Sequence, residues 1–188
     1  MTTTIVRLSG SLRRGSFNAS LLNAAAELAP EGCSVQIEPI DAIPLYDADL
    51  EAEAPPVPVT ELQAKLDAAD GLLLASPEYN QSIPGVFKNA IDWLSSFPLG
   101  GDKIFRGLPV GLIGASAMWS GTLNAQTAWL PVFRGLAMKP YLGATFYLGG
   151  ARGAFDEDGA LTDGAVRDRL THWMAGFAEF VAAETKRG

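Results

Sequence analysis

The apolar positions of this chain fall into short continuous runs separated by stretches with helical spacing, an alternation that repeats five times. Thr3 to Leu8, rich in β-branched residues, predicts a first strand. Ser9 to Asn18 predicts a turn, with Asn18 placed to cap a helix whose Leu21, Leu22, Ala25 and Leu28 share one face. Pro30-Glu31-Gly32 ends that helix, and Val35 to Ile37 predicts a short second strand. From Glu38 to Val59 the chain is rich in proline and acid and predicts an ordered surface loop. Thr60 and Gln63 have the spacing of a capping box, opening a helix through Leu62, Leu66 and Ala69. Gly71 to Ala75 is an uninterrupted apolar run, the pattern of a strand buried on both faces. Pro84 and Gly85 then precede a helically spaced set, Val86, Phe87, Ala90, Ile91 and Leu94. Pro109 to Ala115 predicts a fourth strand, Gly121 to Gly135 a helix that Pro131 is placed to kink or split, and Tyr141 to Leu148 a fifth strand. A loop rich in glycine and acid, Gly149 to Thr162, leads to a last helix striped by Val166, Leu170, Trp173, Phe177 and Val181.

Alternating strands and helices with right-handed crossovers predict a parallel sheet covered on both faces. The expected fold is an α/β three-layer sandwich, with a five-stranded parallel sheet in the flavodoxin-like order 2-1-3-4-5 and one domain over residues 1–188. Its switch point lies between strands one and three. The loops that follow them, Ser9 to Asn18 and Ser76 to Ser82, are expected to be neighbours, and ligands of open α/β sheets bind at such a point.

Composition narrows the function classes. A chain of 188 residues, 48% apolar, buries a core of ordinary size. No run approaches the ~20 apolar residues that span a bilayer, and Met1 and three threonines lead straight into a strand, so no membrane partner and a cytoplasmic location are expected. The single cysteine, Cys33, fits a reducing compartment. A formal charge of −7 argues against a nucleic-acid partner, and one histidine and one cysteine leave little for a metal site.

The chemistry is concentrated in two stretches. Gly10-Ser11-Leu12-Arg13-Arg14-Gly15-Ser16-Phe17-Asn18 joins a strand end to a helix start and combines glycines, hydroxyls and cations, the ingredients of a phosphate cradle. The plain alternative is a capped turn with solvated arginines. A P-loop lysine is missing, since Ser16-Phe17 follows Gly15, and Leu12 occupies a position where the dinucleotide fingerprint needs glycine, although Glu38 sits near the place of a ribose-binding acid. The second stretch, Ser76 to Trp93, opens with a polar and aromatic loop suited to a flat ligand.

Together, Gly-Ser-Leu-Arg-x-Gly-Ser-Phe-Asn at 10–18 and Pro-Glu-Tyr-Asn-x-Ser-x-Pro-Gly-x-x-Lys-Asn-Ala-Ile-Asp-Trp at 77–93 resemble the NADPH-dependent FMN reductase family, most closely its bacterial chromate and quinone reductases. The likeness extends over nearly the whole chain, including Ile43 to Asp49. It implies bound FMN, NADPH or NADH as co-substrate, and alternating (ping-pong) two-electron reduction of quinones. Chromate, azo or nitro compounds and free flavin are further acceptors that the resemblance implies. It also implies a homodimer or homotetramer, in line with apolar surface on the helix from Pro84 to Phe97 and over Trp129 to Phe133 that exceeds what a small sheet must cover. Carried over by position, Ser11, Arg13, Ser16, Phe17 and Asn18 hold the FMN phosphate end; Pro77, Glu78, Tyr79 and Asn80 line the ring; Ser116 closes the site. No catalytic side chain is required, because the cofactor carries the chemistry. An electron carrier or flavin-sensing module without NAD(P)H activity is the alternative, and the Arg13-Arg14 pair weighs against it.

The chain departs from the family between strand four and the next helix. Met118 stands at a usual glycine position, Trp119 beside it, and Asn124 at a usual arginine position. Met118 and Trp119 are therefore expected to contact the acceptor and favour bulkier apolar ones, and the missing arginine to weaken the preference for NADPH, with packing of the two bulky residues at a subunit interface as the alternative. Lys88, Asn89, Asp92 and Trp93 read as helix surface, packing or interface. His172 reads as a helix-surface residue, since no Gly-x-Ser-x-Gly elbow accompanies it.

Overall fold

The computed structural model describes residues 2–96 and 99–185. β1 (Thr3–Ser9) lies between β2 (Cys33–Glu38) and β3 (Gly71–Ala75), and β4 (Pro109–Ala115) pairs with β3. Two short strands, β5 (Lys139–Pro140) and β6 (Phe146–Leu148), both pair with the outer edge of β4. All pairings are parallel, with Leu8 opposite Leu74 and Leu74 opposite Leu112. The order 2-1-3-4-5 is thus present, with its fifth position shared by two strands.

The period of two along each strand divides the core. Ile5, Leu73, Ala75 and Ile113 meet α1 (Phe17–Glu27) and α7 (Gly164–Thr185) on one face. Val6, Leu8, Leu72 and Leu74 meet α3 (Val57–Asp67), α4 (Gly85–Leu94) and α6 (Leu123–Gly135) on the other. Each of these buried valine, leucine and isoleucine side chains contributes roughly 1.5–3 kcal/mol. Gly111 lets α7 seat directly on β4, because a Cβ there would stand 2.7 Å from Trp173 and 2.9 Å from Phe177.

Several boundaries differ from the sequence expectation. Ser16, not Asn18, is the N-cap of α1. Thr60 lies inside α3, which starts just after Pro56; its hydroxyl donates to Val57 O and Gln63 donates to Leu94 O, so no capping box forms. The 38–59 connection contains α2 (Ala48–Glu53), capped by Asp47, whose carboxylate accepts from Asp49 N at 2.9 Å. This connection is held against α4 by Asn89 Nδ2 and Trp93 Nε1, which both donate to Pro44 O. Asn89 and Trp93 are therefore fastenings for the long loop. A short α5 (Gly101–Phe105) brings Phe105 into the core. Pro131 sits on the exposed side of an unbroken α6. The fifth strand leaves the sheet between Tyr141 and Thr145, where a cavity of about 160 Å³ opens beneath Leu130 and Leu142. The expected helix end at Phe97 lies outside the described residues.

Candidate functional site

Three loops meet at the carboxyl ends of β1, β3 and β4. They continue the sheet's bonding past the strands: Gly10 N donates to Ala75 O at 2.9 Å, Ser76 N to Ile113 O at 3.0 Å, and Ser116 N to Leu148 O at 2.9 Å. Gly10 is required here by space. A Cβ would stand 2.9 Å from the Pro77 ring and collide with Phe87, so the first two loops are in direct contact, as the switch-point argument expects.

The first loop presents a helix start to solvent. Ser9 Oγ accepts from Ser11 N at 3.3 Å, Ser11 Oγ accepts from Arg13 N at 3.4 Å, and Gly15 turns with φ of 63°. Buried Ser16 accepts from Ala19 N at 3.4 Å. The Phe17 and Asn18 amides, first in the helix, have no carbonyl one turn back to meet, and no acid stands in that turn. Arg13 and Arg14 are exposed beside it, with the Arg13 guanidinium 5.5 Å over the Phe17 ring. Asn18 has a different task from the one its neighbours suggest. Its buried amide donates to Ala115 O and accepts from Ala115 N, both at 2.9 Å, tying α1 to β4. What it offers a ligand is its backbone N–H.

The second loop is a tight turn. Tyr79 N donates to Ser82 O at 3.1 Å and Ser82 N to Tyr79 O at 3.0 Å, with Asn80 and Gln81 at φ of 49° and 62°. Two successive left-handed residues give a type I′ turn, a strained choice without glycine that leaves Tyr79 48% exposed. Pro77 is buried under the loop, and Ser76 Oγ donates to its carbonyl at 3.0 Å. Half-buried Glu78 reaches α6: one oxygen accepts from Asn124 N at 2.8 Å and Ala125 N at 3.1 Å, the other from Asn124 Nδ2 at 3.3 Å. Thr122 makes no side-chain cap there, so Glu78 supplies it.

The third loop carries the departures. Ser116 Oγ accepts from Met118 N at 3.1 Å, and Met118 O accepts from Gly150 N at 3.2 Å. Backbone bonding is thus kept without glycine at 118, and the side chains point outward: Met118 is 65% and Trp119 89% exposed. Gly149 takes the close approach instead, since a Cβ there would stand 2.7 Å from the Trp119 carbonyl carbon.

Other candidates lie elsewhere. His172 is exposed on α7 among Asp168, Arg169 and Trp173. Cys33 opens β2 rather than preceding it, and burial, followed by the nearby Asp70 charge, pushes its thiol pKa up. Lys88 pairs with Asp92 one turn along α4. Among the described residues no group of three His, Cys, Asp or Glu side chains is placed to hold a metal, and no helix is long and apolar enough to cross a membrane. The residue missed by sequence reading is Phe155, whose ring stacks on Phe17 at 6.2 Å and 18°. Its spacing gave no sign of this contact.

Residues 3–153 match the family model for NADPH-dependent FMN reductase, and the chain belongs to that family. It is 40% identical over 166 residues to an NAD(P)H-dependent FMN reductase of Pseudomonas aeruginosa, covering 88% of each chain. It is 36% identical over 180 residues to a quinone reductase of Escherichia coli, covering 94% of each. Among solved structures, the flavoenzyme NAD(P)H:(acceptor) oxidoreductase FerB of Paracoccus denitrificans superposes with a TM-score of 0.88 at 29% identity, over 97% of this chain and 99% of that one. The fold is flavodoxin-like, and the chain is an enzyme of the NAD(P)H-dependent FMN/quinone reductase class, with FMN as its flavin and NADPH or NADH as co-substrate. The residues present fit FMN: free helix-start amides and an arginine for a phosphate, and an exposed tyrosine on a rigid turn for a ring.

Proposed function

We propose that the three loops form one flavin site and that its physiological acceptors are quinones. The observation that carries this reading is the contact at Gly10, which sets the start of the arginine-bearing loop against Pro77, at the foot of the Tyr79 turn. In this reading the Phe17 and Asn18 amides, Ser11, Ser16 and Arg13 hold the phosphate, with the Asn18 side chain fixing α1 to β4. Pro77, Tyr79 and Asn80 line the ring, Glu78 holds their turn, and Ser116 closes the far side. The Tyr79 N–H is committed to Ser82, so hydrogen bonds to the ring come from the other amides of the loop. Bound FMN supplies two-electron chemistry, alternating between NADPH or NADH and the acceptor. The protein contributes orientation and an open face.

Met118 and Trp119 border that face and favour bulky apolar acceptors. Chromate, azo and nitro compounds and free flavin are reduced more slowly through the same opening. The enzyme works in the cytoplasm, in keeping with its single, half-buried thiol. It assembles as a homodimer, with a tetramer as the larger form. The basis of that assembly differs from the sequence expectation, because Trp129 and Phe133 are 0% and 2% exposed: α6 turns them inward, where Trp129 packs on Phe87. Val86, Leu123 and Leu130 remain exposed on α4 and α6 over the same sheet face. Light scattering at micromolar concentration is expected to give at least a dimer; a monomer removes this part of the reading.

Flavin retention tests the site. Arg13→Ala is expected to weaken FMN binding by about tenfold or more, and Arg167→Ala on α7 to leave it unchanged. Equal retention in the two variants contradicts the cradle.

A further inference from the structure

We infer that Phe155 is a positioning residue for the cofactor phosphate, acting through Phe17 on Arg13. Phe17 is the side chain that Arg13 and Phe155 share. The Arg13 guanidinium lies over its ring, 5.5 Å from the centroid, and Phe155 stacks with it at 6.2 Å between centroids with an interplanar angle of 18°.

Phe155 is held from its own side. It bridges Leu161, Asp156 N donates to Ala160 O at 3.0 Å, and Asp156 Oδ1 accepts from Asp158 N and Ala160 N. These bonds close the segment into a compact loop that lies against α1, where Gly159 approaches Ser20 so closely that a Cβ would stand 2.8 Å from its hydroxyl. Asp156, Glu157 and Asp158 border the same depression as Gly15, Ser16 and Phe17. An acidic stretch beside a phosphate site is a liability unless a cation is fixed between them. Asp156 directs one carboxylate oxygen onto its own loop amides, and the ring contacts keep the arginine in place. A free arginine loses substantial rotamer entropy when it binds an anion. One already resting on an aromatic face has lost part of it beforehand.

This proposal rests on the flavin site described above and concerns only its phosphate end. FMN and riboflavin differ by that phosphate, so the ratio of their dissociation constants isolates it. Both are measured by titrating apoprotein and following flavin fluorescence. Wild type is expected to prefer FMN. Phe155→Ala is expected to narrow the preference by about fivefold, the size of an aromatic stack and a cation–π contact, with riboflavin affinity within about twofold of wild type. In an Arg13→Ala background, Phe155→Ala is expected to have no further effect on the ratio. Phe155→Leu keeps the apolar volume without the stacking face, and is expected to narrow the preference even if Phe155→Ala does not fold. A preference for FMN unchanged by Phe155→Ala or Phe155→Leu, an equal loss of both ligands, or an effect that persists without Arg13 overturns the role of Phe155. Wild type that binds neither flavin overturns the cofactor site itself.

Discussion

The Glu78 carboxylate closes the helix that carries Asn124: it takes the Asn124 backbone N–H at 2.8 Å and its side-chain amide at 3.3 Å. The cap comes from a loop 46 positions earlier, so the turn that presents Tyr79 and the start of α6 are one mechanical unit. Glu78→Ala removes it. The expected cost is about 1–2 kcal/mol of stability, as for other lost N-caps, together with weaker flavin retention; Glu78→Gln keeps one acceptor and should lie between. Denaturant melts of the apoproteins measure the first effect, and a variant as stable as wild type would dissociate the turn from the helix.

The same contact changes the expectation for Asn124. An arginine there keeps the backbone cap and places its guanidinium next to Glu78, so pairing with that carboxylate competes with any anion on the co-substrate. Asn124→Arg should therefore shift the ratio of kcat/KM for NADPH over NADH by less than about twofold, ~0.4 kcal/mol. Trp119→Ala should instead change the ratio for a large against a small quinone by more than that. If Trp119→Ala leaves both ratios unmoved, the exposed indole has no part in acceptor choice.

Asn18→Ala tests a structural task inside the cradle. The substitution removes two buried hydrogen bonds to Ala115 and leaves its N–H without a partner. A loss of about 2–3 kcal/mol is expected, while Ser11→Ala, whose hydroxyl accepts only a 3.4 Å contact from Arg13 N, should cost little. Similar melts for the two variants would refute this division of labour.

Much of the fold was legible because β3 is buried throughout, which leaves the unbroken run Gly71 to Ala75, and because Gly10 and the Pro-Glu-Tyr-Asn stretch follow strand ends. The cap was not. Ser16 and Asn18 both suit an N-cap, and the choice is decided by Ala115, 97 positions away. Tyr141 to Thr145 has the residue types of a strand, yet only two residues of β4, Gly111 and Leu112, stand between the Val110–Pro140 and Ile113–Phe146 pairs, so the extra residues bulge outward. Trp129 and Phe133 read as surplus apolar surface until their stacking beneath α6 is seen. Phe155 acquires a role only when its loop folds onto α1.

Gln81 is held at φ of 62° without a side-chain reason for that conformation. Gln81→Gly should relieve the strain and stabilise the protein by about 0.5–1 kcal/mol. A destabilised Gln81→Gly variant would mean that the side chain, not the backbone, sets the turn.

Cys33 gives the pH dependence. Burial raises its pKa in the folded state, so its contribution to stability is complete below the unfolded value of ~8.5 and is lost as pH rises through the folded one. Cys33→Ala should flatten the alkaline limb of stability against pH and leave the neutral range unaffected in slope. An unchanged alkaline limb would assign it to another group.

The most direct test of the central claim is an anaerobic titration of the purified, FMN-loaded protein followed by visible absorbance. One equivalent of NADPH or NADH should bleach the flavin, and one equivalent of a quinone should then restore it. A flavin that keeps its colour with both nucleotides, or stays bleached when the quinone is added, contradicts the reading of these three loops as a quinone reductase site.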